Sequence, residues 1–210
     1  MNFDRIQGTV DVSRMKDSHV AVIGGGYGLV MDLVRCGLGA VTYVDFDRVS
    51  ETNPARQDFA SDSIGQYKVE AIAASLHQIN PDIKVTCLAR DFCAFTPDEM
   101  DRYFAGVDLF VFAADSFVAQ AKGNLEALRM RKPAIWIGLY REGRAGEIIY
   151  YLPGRTRSCY RCIAASRYAA FAAQADGAPN VTAIPSTGAT ILDLHLIDAI
   201  AGQIAVGILT

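Results

Sequence analysis

A short apolar run that ends in consecutive glycines constrains this chain more than any other feature. Residues 19–23 (HVAVI) lead directly into Gly24, Gly25 and Gly26. The run reads as a buried strand, and the glycines read as a tight turn into a helix. Leu29, Val30, Leu33 and Val34 then repeat at helical spacing until Gly37 and Gly39 end the pattern. Residues 41–44 form the next apolar run and deliver Asp45, which follows Gly24 by 21 residues. A βαβ unit with glycines at its first turn and an acid after its second strand is the opening of a dinucleotide-type fold.

The remainder continues the alternation. Residues 64–79 read as a helix stopped by Asn80 and Pro81. Strands are expected over 83–88, 109–113, 134–140 and 147–152, with a helix over 116–130. This is an α/β chain, a doubly wound, Rossmann-like and mainly parallel sheet with helices on both faces. The loops over 47–62 and 153–187 are long enough to carry function. We expect a nucleotide-binding domain over residues 1–165. Residues 166–210 would form a crossover-like loop and a terminal helix of the same domain, continuing beyond this chain end.

Composition narrows the function. Of 210 residues, 51% are apolar and 20% charged, the balance of a chain that buries a sizeable core. Twenty Lys and Arg against 23 Asp and Glu leave a formal charge of −3, so no cationic field recruits nucleic acid or an anionic membrane. The apolar segment near the end carries Asp193, His195 and Asp198, which argues for a packed helix rather than a membrane span. The first residues lack a charged-then-apolar signal pattern, and the expected location is cytoplasmic. Five cysteines, an odd number, argue against a disulfide framework. Cys36, Cys87 and Cys93 lie in apolar surroundings as small hydrophobes. Cys159 and Cys162 differ, forming a C-x-x-C in a polar loop.

Candidate chemistry clusters after the first two strands. Gly24, Gly25, Gly26 and Gly28 suit close approach to a phosphate, and Asp45 suits a ribose hydroxyl. These features alone do not separate NAD from ATP. Arg56 and Lys68 lie on opposite sides of one loop. Two cations are what a polyphosphate attacked at phosphorus requires. Asp115, at the carboxyl end of the strand over 109–113, could hold magnesium against those phosphates; its bland alternative is a helix cap.

Taken in order, VIGGG, GLGAVTYVDFDRV, NPARQ, I-G-Q-x-K, INP, DLFVFAADS and the C-x-x-C loop resemble the ThiF/MoeB/HesA family, the prokaryotic relatives of ubiquitin-activating enzymes. The resemblance implies an ATP- and Mg2+-dependent adenylyltransferase acting on the C-terminal carboxylate of a ubiquitin-like or sulfur-carrier protein, commonly as a homodimer. It assigns Asp45 and Asp47 to the nucleoside-binding D-F-D motif, and Asn53, Arg56 and Gln57 to the N-x-x-R-Q stretch. Lys68 becomes the lysine after the I-G motif and Asp115 the magnesium-associated acid. Arg5, in the segment Phe3-Asp4-Arg5, becomes the arginine that reaches a partner subunit's site.

The chain also departs from the family. Its first turn is three residues short, and a gap after Gly26 restores the register; three residues missing at that point is the expectation. Ser116 replaces the usual Asn. A single C-x-x-C offers two of the four thiolates of a closed Zn2+ site. Cys159 and Cys162 are accordingly expected to be half of a zinc site completed beyond Thr210. The crossover region over 167–185 contains no cysteine, so adenylation without a thioester on this domain is expected. Two rivals stand beside this reading: an NAD-dependent oxidoreductase and a non-catalytic, partner-binding relative.

Overall fold

The computed structural model describes residues 1–174 and 188–210. After an N-terminal segment, helix α1 (Val12–Asp17) leads to strand β1 (His19–Gly24), helix α2 (Tyr27–Arg35) and strand β2 (Ala40–Val44). Helix α3 (Lys68–Ile79), strand β3 (Lys84–Leu88) and helix α4 (Pro97–Phe104) follow. Strand β4 (Leu109–Ala113), helix α5 (Phe117–Arg129), strand β5 (Ala134–Leu139) and strand β6 (Gly146–Tyr151) complete the sheet. Helices α6 (Tyr160–Ile163), α7 (Ala165–Gln174) and α8 (Ile191–Leu209) close the described chain.

The strand order is β3-β2-β1-β4-β5-β6, parallel except for the last pair. Only six residues join β5 to β6, too few for a crossover, so β6 returns antiparallel. The order reverses between β1 and β4. At such a switch point the connections leave to opposite faces and open a crevice beyond the strand ends.

Each face has its own core. Leu29, Val30, Leu33 and Val34 of α2 are buried with Ile72 and Leu76 of α3 and Ile197, Ala201 and Ala205 of α8. On the other face Phe92, Phe104, Phe110, Phe112, Trp136 and Tyr160 form a continuous aromatic cluster. Burying each large side chain contributes about 1.5–3 kcal/mol before the entropy of ordering it.

The helix expected over 64–79 starts later, at Lys68. Gly65 takes a left-handed φ of +90°, and Tyr67 pairs with Arg48 in an antiparallel bridge. The Arg48 guanidinium stacks 3.8 Å from the Tyr67 ring centroid and donates to the Gly65 carbonyl at 2.7 Å. This tertiary pairing overrides the apolar period and puts Lys68 at the helix start. Helix α4 escapes the hydrophobic periodicity, yet its signal is local: Thr96, Pro97 and Glu99 form a capping box with proline in the first turn. The loop expected over 153–187 contains α6 and α7. The part of the crossover-like loop over 175–187 lies outside the described residues.

Candidate functional site

The turn after β1 shows why glycine is needed there. Gly24 has φ +81°, and a Cβ on it would stand 2.8 Å from the Ala114 Cα. The β1 and β4 turns therefore pack backbone to backbone, tied by the Gly25 N–H donating to the Ala113 carbonyl at 3.2 Å. Gly26, also left-handed at φ +81°, then leads directly into Tyr27 at the start of α2.

A cavity of about 480 Å³ opens over these turns. Of the residues singled out from sequence, Gly24, Gly26, Asp45, Asp47, Arg56, Gln57, Lys68 and Asp115 line it. Residues 115 and 56 are 59 positions apart in sequence, and the fold brings both to this one cavity. Asp45 is buried, and its Oδ1 accepts the Asp47 N–H at 2.8 Å. Burial pushes its carboxyl group above the usual range, while the Lys68 ammonium and the Asp47 N–H oppose that rise. Lys68 Nζ lies 2.9 Å from Asp47 Oδ2 at the same rim. Gln57 turns a buried Oε1 with no hydrogen-bond partner among the described residues, a group that a ligand would satisfy.

Asn53 stands outside the cavity lining. Its Oδ1 accepts the Ser50 N–H at 2.7 Å, and its carbonyl accepts the Arg56 and Gln57 N–H groups at 2.9 and 2.7 Å. It builds the loop that presents the two residues following it. Arg5 is exposed, and its neighbour Phe3 packs by Gly37 at the amino ends of the strands, away from the cavity. Within one copy, Arg5 does not join the other candidates.

Asp115 is exposed at the end of β4, and Ser116 caps α5 through the Ala119 N–H at 3.5 Å. One carboxylate lining this cavity is a donor that could hold Mg2+, which takes one or two protein carboxylates and fills its remaining positions with substrate oxygens and water. Cys159 and Cys162 lie elsewhere, their sulfurs 3.7 Å apart. Two corners of a tetrahedron with zinc–sulfur bonds of about 2.3 Å stand roughly 3.8 Å apart, so the pair has half-site spacing. Among the described residues no group of three metal-ligating side chains forms, so these residues alone do not make a closed zinc site.

Two residues central to the site were not assigned from sequence. Tyr27 donates from its hydroxyl to Asp45 Oδ2 at 3.2 Å. Asp198, reaching over from α8, is buried against the start of α2, where the nearby Leu29 and Gly28 N–H groups favour its ionised form. Burial pushes its carboxyl group up to about 6 against the pull of those N–H groups. A Cβ on Gly28 would come within 3.0 Å of Asp198 Oδ2, so this position must be small. An acid in the middle of an apolar helix was the legible signal; its partner was not.

The sequence model of the ThiF family matches residues 1–208. This chain belongs to the ThiF family. It is 31% identical over 176 residues to ubiquitin-like modifier-activating enzyme 5 of Drosophila ananassae, covering 77% of this chain and 44% of that protein. The Aedes aegypti protein of the same name is 31% identical over 166 residues, covering 72% of this chain and 41% of its own length. The chain thus spans less than half of these relatives. Among solved structures, E. coli MccB with ATP superposes with a TM-score of 0.74 at 21% identity, over 94% of this chain and 57% of that one. Selenomethionine PaaA gives 0.73 at 20%, over 95% and 66%. These two likenesses establish the shared fold.

Proposed function

We propose that this ThiF-family chain binds ATP in the cavity at the β1/β4 switch point and adenylates a carboxylate. The substrate is the C-terminal carboxylate of a ubiquitin-like or sulfur-carrier protein. The observation that carries this reading is the convergence of Asp45, Arg56, Lys68 and Asp115 on one rim, from four separate stretches of sequence. The names of the relatives support it: an activating enzyme for a ubiquitin-like modifier, and MccB solved with ATP.

A carboxylate oxygen attacks the α-phosphorus of ATP as the bond to the bridging oxygen of the β-phosphate breaks. An acyl-adenylate forms and pyrophosphate leaves. The nucleophile is already ionised at neutral pH, so no general base is required. Positioning and charge neutralisation supply the acceleration. Asp45 holds the ribose, with Asp47 fixing its orientation. Arg56 and Lys68 face the developing charge on the phosphates, and Lys68 exchanges its Asp47 partner for phosphate oxygen. A magnesium ion held by Asp115 would neutralise further phosphate charge. Cys93 borders the cavity, and burial raises its thiol above the ordinary range, which disfavours the thiolate.

The start of α2 favours ATP over NAD. In dinucleotide enzymes the pyrophosphate sits on the first helix N-terminus. Here that position holds the Asp198 carboxylate, and a second anion beside it is repelled. A homodimer belongs to the same proposal, since Arg5 reaches such a site only from another copy. The exposed Leu192, Leu196 and Ile200, at four-residue spacing along α8, supply an apolar face for the contact.

The test is magnesium-dependent ATP–pyrophosphate exchange with candidate small proteins ending in Gly-Gly. Exchange that needs both the carrier and Mg2+ is expected. Tight carrier binding without exchange would identify a non-catalytic relative instead.

A further inference from the structure

We propose that Tyr27 is a positioning residue for the nucleotide, holding the Asp45 carboxylate in the orientation that receives the ribose hydroxyls. This rests on ATP binding at Asp45 as argued above. Tyr27 follows Gly26 directly and begins α2, which brings its hydroxyl to Asp45.

The Tyr27 side chain is built into the site rather than lying loosely over it. Its ring is 3% exposed, stacked on Tyr43 at 5.7 Å and edge-on to Phe59 at 4.5 Å. Its hydroxyl donates to Asp45 Oδ2 at 3.2 Å, while the Asp47 N–H occupies Oδ1 at 2.8 Å. Both carboxylate oxygens are thereby fixed, and each keeps lone-pair capacity for a second donor. Tyr43 anchors the arrangement from below, its hydroxyl 2.6 Å from the carbonyls of both Gly24 and Gly25. The glycine turn and the ribose-binding acid are thus coupled through two stacked tyrosines.

The second contribution is electrostatic. Asp45 is faced by Tyr27 from α2, Tyr43 from β2, Asp47 from the following loop and Lys68 from α3, and Arg56 lines the same cavity. Burial and the Asp47 charge favour its protonated form, whereas Lys68, the Asp47 N–H and the Tyr27 hydroxyl favour the carboxylate. Removing the hydroxyl loosens the carboxylate and makes it easier to protonate.

Tyr27→Phe keeps the ring and its packing, and a thermal melt checks that the fold survives. Calorimetric titration compares Mg-ATP with Mg-2′,3′-dideoxy-ATP on the wild-type chain, Tyr27→Phe and Asp45→Asn between pH 5.5 and 8. The expected result is a wild-type preference for ATP that Asp45→Asn abolishes. Tyr27→Phe should weaken ATP about five-fold, leave the dideoxy nucleotide within about two-fold, and move the acid limb of ATP binding to higher pH. An intact preference in Tyr27→Phe, or an equal loss for both nucleotides, overturns the positioning role while Asp45→Asn still upholds the ATP reading. Absence of any ribose preference in wild type and Asp45→Asn alike overturns both.

Discussion

The two helices that start at the cavity, α2 and α5, solve the same problem in opposite ways. Each follows a parallel strand, and each begins with N–H groups that have no partner within the helix. Helix α5 is capped by its own residue, Ser116, and leaves Asp115 exposed beside the cavity. Helix α2 has no side-chain cap of its own; the carboxylate of Asp198, 170 residues beyond Gly28, lies against its start instead. The difference teaches where charge is handled. An internal carboxylate lies at the anion site of α2, so in the proposed function phosphate recognition falls to the side-chain cations Arg56 and Lys68. The α5 end keeps its acid available for a metal.

Removing the cations or the free acid should break this division most severely. Arg56→Ala and Asp115→Ala should each lower pyrophosphate exchange about 10²–10³-fold, the range for losing one preorganised charge-stabilising group. Their melting temperatures should stay near wild type. Near-normal exchange in either would remove that residue from the chemistry.

The α2 cap gives the next largest effect, seen in the pH dependence of stability. Asp198 titrates near 6 when folded and at an ordinary 3.8 when unfolded, so between these values the folded state binds the extra proton. Stability contributed by this group therefore rises as pH falls from 7 toward 4, by about 3 kcal/mol at most. Asp198→Asn retains an acceptor for the Gly28 and Leu29 N–H groups and should flatten that part of the profile. Urea unfolding of both forms at pH 4.5 and 7 measures the difference. An unchanged profile would mean that Asp198 carries no buried charge.

Gly28→Ala probes the same contact sterically. Its Cβ would meet Asp198 Oδ2 at 3.0 Å, and a loss of about 1–2 kcal/mol in unfolding free energy is expected. Ser116→Ala is the matching change at α5. Its capping bond is long, 3.5 Å, so the cost should be the smallest of the set, about 0.5 kcal/mol. A larger loss at Ser116 than at Gly28 would invert the comparison.

The sequence was most legible where a local pattern had one physical meaning. Apolar runs closed by Gly24 or carrying Asp45 and Asp115 located β1, β2 and β4, and with them the ends that face the cavity. The resemblance placed Arg56 and Lys68 in the same site, and the 47–68 loop does bring them to one rim. What escaped depends on contacts between distant segments. Asp198 read only as a charge inside an apolar helix, because α8 meets α2 in tertiary packing alone. Tyr27 was assigned no role, because its hydroxyl finds Asp45 only once β2 lies beside β1. Asn53 was grouped with the nucleotide ligands, whereas its hydrogen bonds build the loop behind them.

A crystal structure of the chain with Mg2+ and a non-hydrolysable ATP analogue bears most directly on this picture. We expect the ribose hydroxyls on Asp45, the phosphates between Arg56 and Lys68 with the metal at Asp115, and Asp198 still capping α2. Phosphates seated on the first N–H groups of α2 with Asp198 displaced, or a nucleotide bound away from Asp45, would contradict it.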